Sequence, residues 1–148
     1  MIMSFRIESK EQFVELWTNI YNTKGKPDWS HILPYYDEKI HFRDSIQEIR
    51  GKKEFEAMTV RLVERSNDLS MKIVNIVFEE NIIFFEWEMG LSFRKTPNSK
   101  VFGASRIKLN DKGKIIEQRD YYDLWGDIFD NIPLIAKGYR KFMSKLFG

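Results

Sequence analysis

The 148-residue chain is 43% hydrophobic and 15% aromatic, the composition of an ordered protein with a real core, at a length usual for one domain. Its 24 basic and 22 acidic side chains leave a net charge of +2, which gives no mandate for nucleic acid, and the lack of cysteine removes disulfides, thiol catalysis and cysteine metal sites. No apolar run approaches the ~20 residues of a membrane span, the segment MIMSFRIESKE lacks the long apolar core of a secretory signal, and no linker or repeat divides the sequence, so the expectation is a cytoplasmic protein forming a single domain over 1–148.

Ser9 with Gln12 three residues on forms a capping-box pattern, and Phe13, Leu16, Trp17, Ile20 and Tyr21 then recur at helical spacing, predicting a helix over about 9–22. TKGKP breaks it, and Asp28 is placed to cap a short second helix through WSHILPYY. KIHFRDSI alternates, with Ile40, Phe42, Asp44 and Ile46 on one face, and reads as a strand with a carboxylate in its apolar row. Gly51 opens a charged helix whose stripe is Phe55, Met58, Leu62 and Val63. From Leu69 the pattern turns to β: MKIVNIVF, a turn near EEN, IIFFEWEMGLSF, a turn at KTPNS, KVFGASRIKL, the hairpin signal NDKGK, and IIEQRDYYDLW. Pro133 interrupts the chain beyond that strand, and LIAKGYRKFMSKLF reads as a terminal amphipathic helix.

This order predicts an α+β architecture: a strongly curved antiparallel sheet with helices on its concave face, forming a cone whose mouth is a central ligand cavity. In the last strand, Ile116, Gln118, Asp120, Tyr122 and Leu124 share one face, while Glu117, Arg119, Tyr121, Asp123 and Trp125 share the other. Asp120, like Asp44, therefore falls on a core-facing row, where a carboxylate is costly unless something pairs with it or uses it. Two such carboxylates on one cavity can divide acid and base roles. The alternative is that each holds backbone donors or pairs with an arginine. Trp17, Tyr36, Phe42, Trp87 and Tyr122 are candidate cavity-lining aromatics, with plain core residues as the alternative.

The segments YYDEKIHFRDSI and GKIIEQRDYYDLW, with the order of elements, resemble the nuclear transport factor 2-like superfamily, which includes ketosteroid isomerase, limonene epoxide hydrolase and SnoaL-type polyketide cyclases. The resemblance spans nearly the whole chain and implies a cofactor-independent isomerase, cyclase or hydratase/hydrolase acting on a small hydrophobic molecule. It implies Asp44 at the general-base position of the isomerases and Asp120 at the catalytic aspartate of the epoxide hydrolases. The isomerase helix tyrosine and second acid correspond to Trp17 and Ser105, and that substitution argues against steroid isomerisation. The epoxide hydrolase tyrosine and asparagine correspond to Phe42 and Asp44. Its arginine-x-aspartate pair has no counterpart beyond Glu86 and Glu88, which by phase lie outside the apolar row of Phe85, Trp87, Met89, Leu91 and Phe93.

No metal or cofactor is expected, since His31 and His41 have no ligand spacing around them; His41 is out of phase with Asp44 and reads as a surface residue. Arg106, Lys108, Glu117 and Arg119 alternate outward and predict a cross-strand charge ladder. A mixed outer sheet face of this kind predicts a homodimer. The apolar face of the terminal helix (Leu134, Ile135, Tyr139, Phe142 and Leu146) is expected to seal the cone or the dimer rather than to bind a membrane. The alternative to an enzyme is a non-catalytic small-molecule-binding or dimeric interaction module.

Overall fold

The computed structural model describes residues 3–22, 26–66, 68–93, 96–124, 127 and 132–148. Helix α1 spans Lys10–Tyr21. The Ser9 hydroxyl accepts from the Gln12 amide (3.1 Å), and the Gln12 side chain turns back to accept from the Glu8 amide (2.7 Å). These bonds satisfy donors that a helix start leaves open. Of the break expected at TKGKP, Thr23, Lys24 and Gly25 lie outside the described residues.

The second helix shrinks to a single 3-10 turn, Leu33–Tyr35. Pro34 lacks an amide and disfavours helical backbone at the residue before it, so the turn does not propagate. Asp28 accepts from the Ser30 amide (2.9 Å), and His31 Nε2 meets the Leu16 carbonyl (2.8 Å), tying this connection to α1.

Strand β1, Tyr36–Arg43, starts and stops earlier than its alternation suggests. Asp44 leaves the ladder because a different set of bonds claims it: its Oδ1 accepts from the Ile46 and Gln47 amides (2.8 Å each), and its own amide donates to the Gln47 carbonyl (3.0 Å). The turn reverses the chain into a short strand that the sequence pattern did not reveal, β2 (Glu48–Arg50), paired antiparallel with β1.

Helix α2 (Lys52–Arg65) buries Phe55, Met58 and Thr59, while Leu62 of the expected stripe is exposed. Strands β3 (Leu69–Glu79), β4 (Ile82–Phe93), β5 (Thr96–Leu109) and β6 (Ile115–Tyr122) follow as an antiparallel meander. Residues 96–99, expected in a turn, open β5 instead; 94 and 95 lie outside the described residues. The NDKGK hairpin closes on Asn110, whose Oδ1 accepts from the Lys112 and Lys114 amides (3.0 Å each). Pro133 starts rather than interrupts the last helix, α3 (Pro133–Phe147), where its missing amide costs nothing.

The six strands form one open sheet in the order β2-β1-β6-β5-β4-β3. It is mostly antiparallel, as expected, and β1 beside β6 is a parallel pair. Register shifts at Ile73/Asn75, Leu91/Phe93 and Lys108/Leu109 bend the long strands. Helices α1 and α2 pack on one face, α1 against β3 and α2 against β1 and β2, giving the expected α+β layering. Among the described residues no helix is long and apolar enough to cross a membrane.

The core between helices and sheet is built on rings. Trp17 stacks on Phe13 and meets Phe85 and Trp29 edge-on, and Tyr36 stacks on Phe55 at 4.5 Å. Trp87 lies across Gly103 on the next strand, where a Cβ would collide with the indole and come within 2.6 Å of the Tyr121 carbonyl. Gly103→Ala is therefore expected to destabilise the fold by about 2–4 kcal/mol, through displacement of Trp87. Chemical denaturation checks this, and an unchanged midpoint would show the indole to be freely displaceable.

Candidate functional site

Three side chains of β6, Gln118, Asp120 and Tyr122, point to the helix-covered face, and the neighbouring strands supply their partners. Ser105 of β5 is the cross-strand partner of Asp120, and Phe85 of β4 is in turn the partner of Ser105. The Ser105 hydroxyl, fully buried, donates to Asp120 Oδ1 (2.7 Å) and accepts from Trp87 Nε1 (2.9 Å). Gln118 donates weakly to both oxygens of Asp120 (3.2 and 3.3 Å) and accepts from the Tyr36 hydroxyl (2.6 Å). A continuous chain of donors thus runs from Trp87 through Ser105 to Asp120, and a second from Tyr36 through Gln118. With Oδ1 the acceptor of the short bond, Oδ2 is the less committed oxygen.

Asp120 keeps some solvent access, yet protein surrounds its carboxyl closely enough that lost hydration raises its pKa to about 6. The bonds from Ser105 and Gln118 oppose this rise and the charge of Asp44 adds to it. Burial also raises the phenols of Tyr21, Tyr36 and Tyr122, the charge of Asp120 adding to each. All three hydroxyls stay neutral donors at physiological pH.

The other expected site residues separate into two groups. Ser105, Trp87, Tyr36 and Tyr122 gather around Asp120, directly or through one partner. Asp44 acts electrostatically on Asp120 and Tyr122, but its Oδ1 is occupied by the turn that ends β1. Trp17 and Phe42 are drawn elsewhere: Trp17 Nε1 donates to Met71 Sδ (2.9 Å), and Phe42 packs on Phe55. Gln118 and Tyr21 were not singled out from sequence. Gln118 was visible in the same two-residue phase as Asp120, and Tyr21 sits four residues after Trp17 on the same helical stripe.

The hollow expected around both aspartates is neither of the two principal openings among the described residues, which lie elsewhere on the surface. One, of about 320 Å³, lies at Arg6, Asn81 and Asn110, the other, of about 620 Å³, at Glu86, Phe102, Ala104, Tyr121 and Tyr122. Neither is lined by Asp44 or Asp120. Trp17, Tyr36, Phe42 and Trp87 are each at most 4% exposed, so the expected lining aromatics fill the interior. Trp125, on the opposite row of the last strand, lies outside the described residues.

Glu86 and Glu88 face away from this site, Glu86 accepting from Asn75 (2.8 Å) and Glu88 pairing with Lys100 (2.8 Å). His41 pairs with Glu48 (2.6 Å) at the surface. The outer ladder forms around Glu117, which meets Arg106 at 3.0 Å and Lys108 at 3.6 Å. Arg119 instead lies over the Tyr121 ring. No cluster of three or more His, Asp or Glu among the described residues is arranged to hold a metal ion.

Residues 11–118 match the SnoaL-like domain family, and the chain belongs to it. A ketosteroid isomerase-like protein of Catenulispora acidiphila, solved with trimethylamine, superposes with TM-score 0.69 at 13% identity, over 83% of this chain and 94% of that one. An epoxide hydrolase of the limonene type from M. tuberculosis gives 0.66 at 18%, over 90% and 94%. A candidate SnoaL-like polyketide cyclase from Jannaschia sp. gives 0.63 at 18%, over 88% and 97%. No curated protein matches the chain. At these identities the likeness establishes the nuclear transport factor 2-like fold.

A raised carboxyl pKa means that the folded chain holds this proton more tightly than the unfolded one, so ionising Asp120 costs stability. The cost is absent below about pH 4, grows as pH rises through about 6, and is complete above it. Asp120→Asn is accordingly expected to melt higher than the native chain at pH 8, by about 2 kcal/mol, with the gain fading toward pH 4. Thermal melts across this range test it; a pH-independent difference would contradict a desolvated carboxylate.

Proposed function

We propose that this SnoaL-like protein moves protons on a small apolar ligand, with Asp120 as the acid/base and no cofactor. The observation that carries this reading is the setting of Asp120: a sheltered carboxyl with a pKa of about 6 and Oδ1 anchored by Ser105. A base of that strength is largely ionised at neutral pH yet stronger than an exposed aspartate. Oδ2 is the atom that would take a proton from a carbon next to a carbonyl, or from water, and return it. Anchoring Oδ1 keeps that oxygen aimed. Asp44 enters as the neighbouring charge that raises Asp120, rather than as an equal second base. The Tyr21 and Tyr122 hydroxyls are the neutral donors available for a developing oxyanion. The ligand would enter beside Tyr122, which lines the surface hollow nearest to Asp120 in sequence.

The test is hydrogen exchange into small apolar ketones in deuterated water, followed by proton NMR. The expected rate rises with pH to a plateau with a midpoint near 6, falls at least about a hundredfold in Asp120→Asn, and shows a higher midpoint in Ser105→Ala, which loses a bond that favours the ionised form. Exchange that is equal in the Asp120→Asn protein would end this reading.

A second property has its own support. Val77, Phe84, Phe102 and Tyr121 are 45–61% exposed on the outer sheet face. We propose that a second copy covers this face through apolar contact with these side chains. Light scattering is expected to give a dimer mass for the native chain and a monomer for Phe84→Glu with Phe102→Glu. A native monomer would refute it.

A further inference from the structure

Helix α3 carries Lys137, Arg140, Lys141 and Lys145 and no acidic residue, four positive charges in a chain whose net charge is +2, so the rest of the molecule is on balance acidic. The apolar side chains are segregated from these charges. Ile135, Tyr139, Phe142 and Leu146 follow one another at steps of four, three and four residues, and Met143 and Phe147 flank them on the same side. The body of the protein takes only part of this surface. Ala136, Tyr139 and Met143 are half-buried, whereas Ile135 is 44%, Phe142 60%, Leu146 56% and Phe147 79% exposed. The helix packs extensively on no other described element. The seal expected of this helix is therefore incomplete, and large apolar groups face solvent beside a uniformly basic flank.

We propose that α3 is a peripheral membrane-binding helix that lays Ile135, Phe142, Leu146 and Phe147 into the surface of anionic bilayers while its lysines and arginine engage the headgroups. The charge pattern selects this occupant. A second copy packed through the same face would bring two helices of four positive charges together with no acid in either to offset them. An anionic surface is attractive to the same charges and accepts the apolar row at the headgroup boundary. At about 22 Å the helix is too short and too charged to span, so it lies in the interface plane. The acidic remainder of the molecule is repelled from such a surface, which orients the protein with α3 as the contact.

Flotation of the full chain with vesicles tests this, using phosphatidylcholine alone and phosphatidylcholine mixed with phosphatidylserine. Binding is expected with the mixed vesicles only and is expected to weaken as salt is raised. Phe142→Ser with Leu146→Ser should abolish it. Lys141→Glu with Lys145→Glu should weaken it at least about tenfold. Both pairs are solvent-exposed, and circular dichroism confirms that the variants fold. No binding by the native chain, equal binding to both vesicle types, or binding unchanged in either variant overturns the proposal. So does loss of oligomeric mass in the Phe142/Leu146 variant with vesicle binding intact, which would assign this face to a second copy.

Discussion

A carboxylate drawn into the sheet is the constraint around which the inner face is arranged. Asp120 loses water on folding, and its neighbours on β5 and β6 replace part of that hydration with the Ser105 hydroxyl and the Gln118 amide. Each replacement creates a further requirement, because a buried hydroxyl or amide must itself be satisfied. Trp87 answers the first and Tyr36 the second, which is why two large rings carry polar tips to this point of an otherwise apolar core. Gly103 belongs to the same arrangement: without a side chain there, the Trp87 indole can cross its strand and reach Ser105.

The two aspartates show how environment separates identical side chains. Asp120 has one short bond from a side chain and is enclosed, so its charged form is disfavoured. Asp44 receives two backbone amides in the turn that ends β1, bonds that hold its carboxylate in that turn. The charge of Asp44 pushes both Asp120 and Tyr122 upward.

The molecule's unsatisfied surfaces lie away from this site. One is the outer sheet face, where exposed rings border a charge ladder centred on Glu117. The other is α3, which gathers four positive charges beside an open apolar row. The first is mixed in charge and the second wholly basic, and this difference underlies the two different partners proposed for them.

Much of this was legible from residue order. Two-residue alternation in IIEQRDYYDLW placed Asp120 inward, helical spacing located α1, and apolar phase turned Glu86 and Glu88 away, since period and polarity are local properties of a strand or helix. Pairing direction was not legible, because a half-buried strand alternates identically whether its neighbour runs with it or against it, and β1 beside β6 is parallel. Nor was the departure of Asp44 from β1, where two amide bonds to one oxygen outcompeted an alternation that continued unbroken in sequence. Whether Trp17, Tyr36, Phe42 and Trp87 line a space or fill one was decided by tertiary packing alone. Filling depends on the summed volumes of side chains brought together from α1, β1 and β4, and no single segment contains that sum.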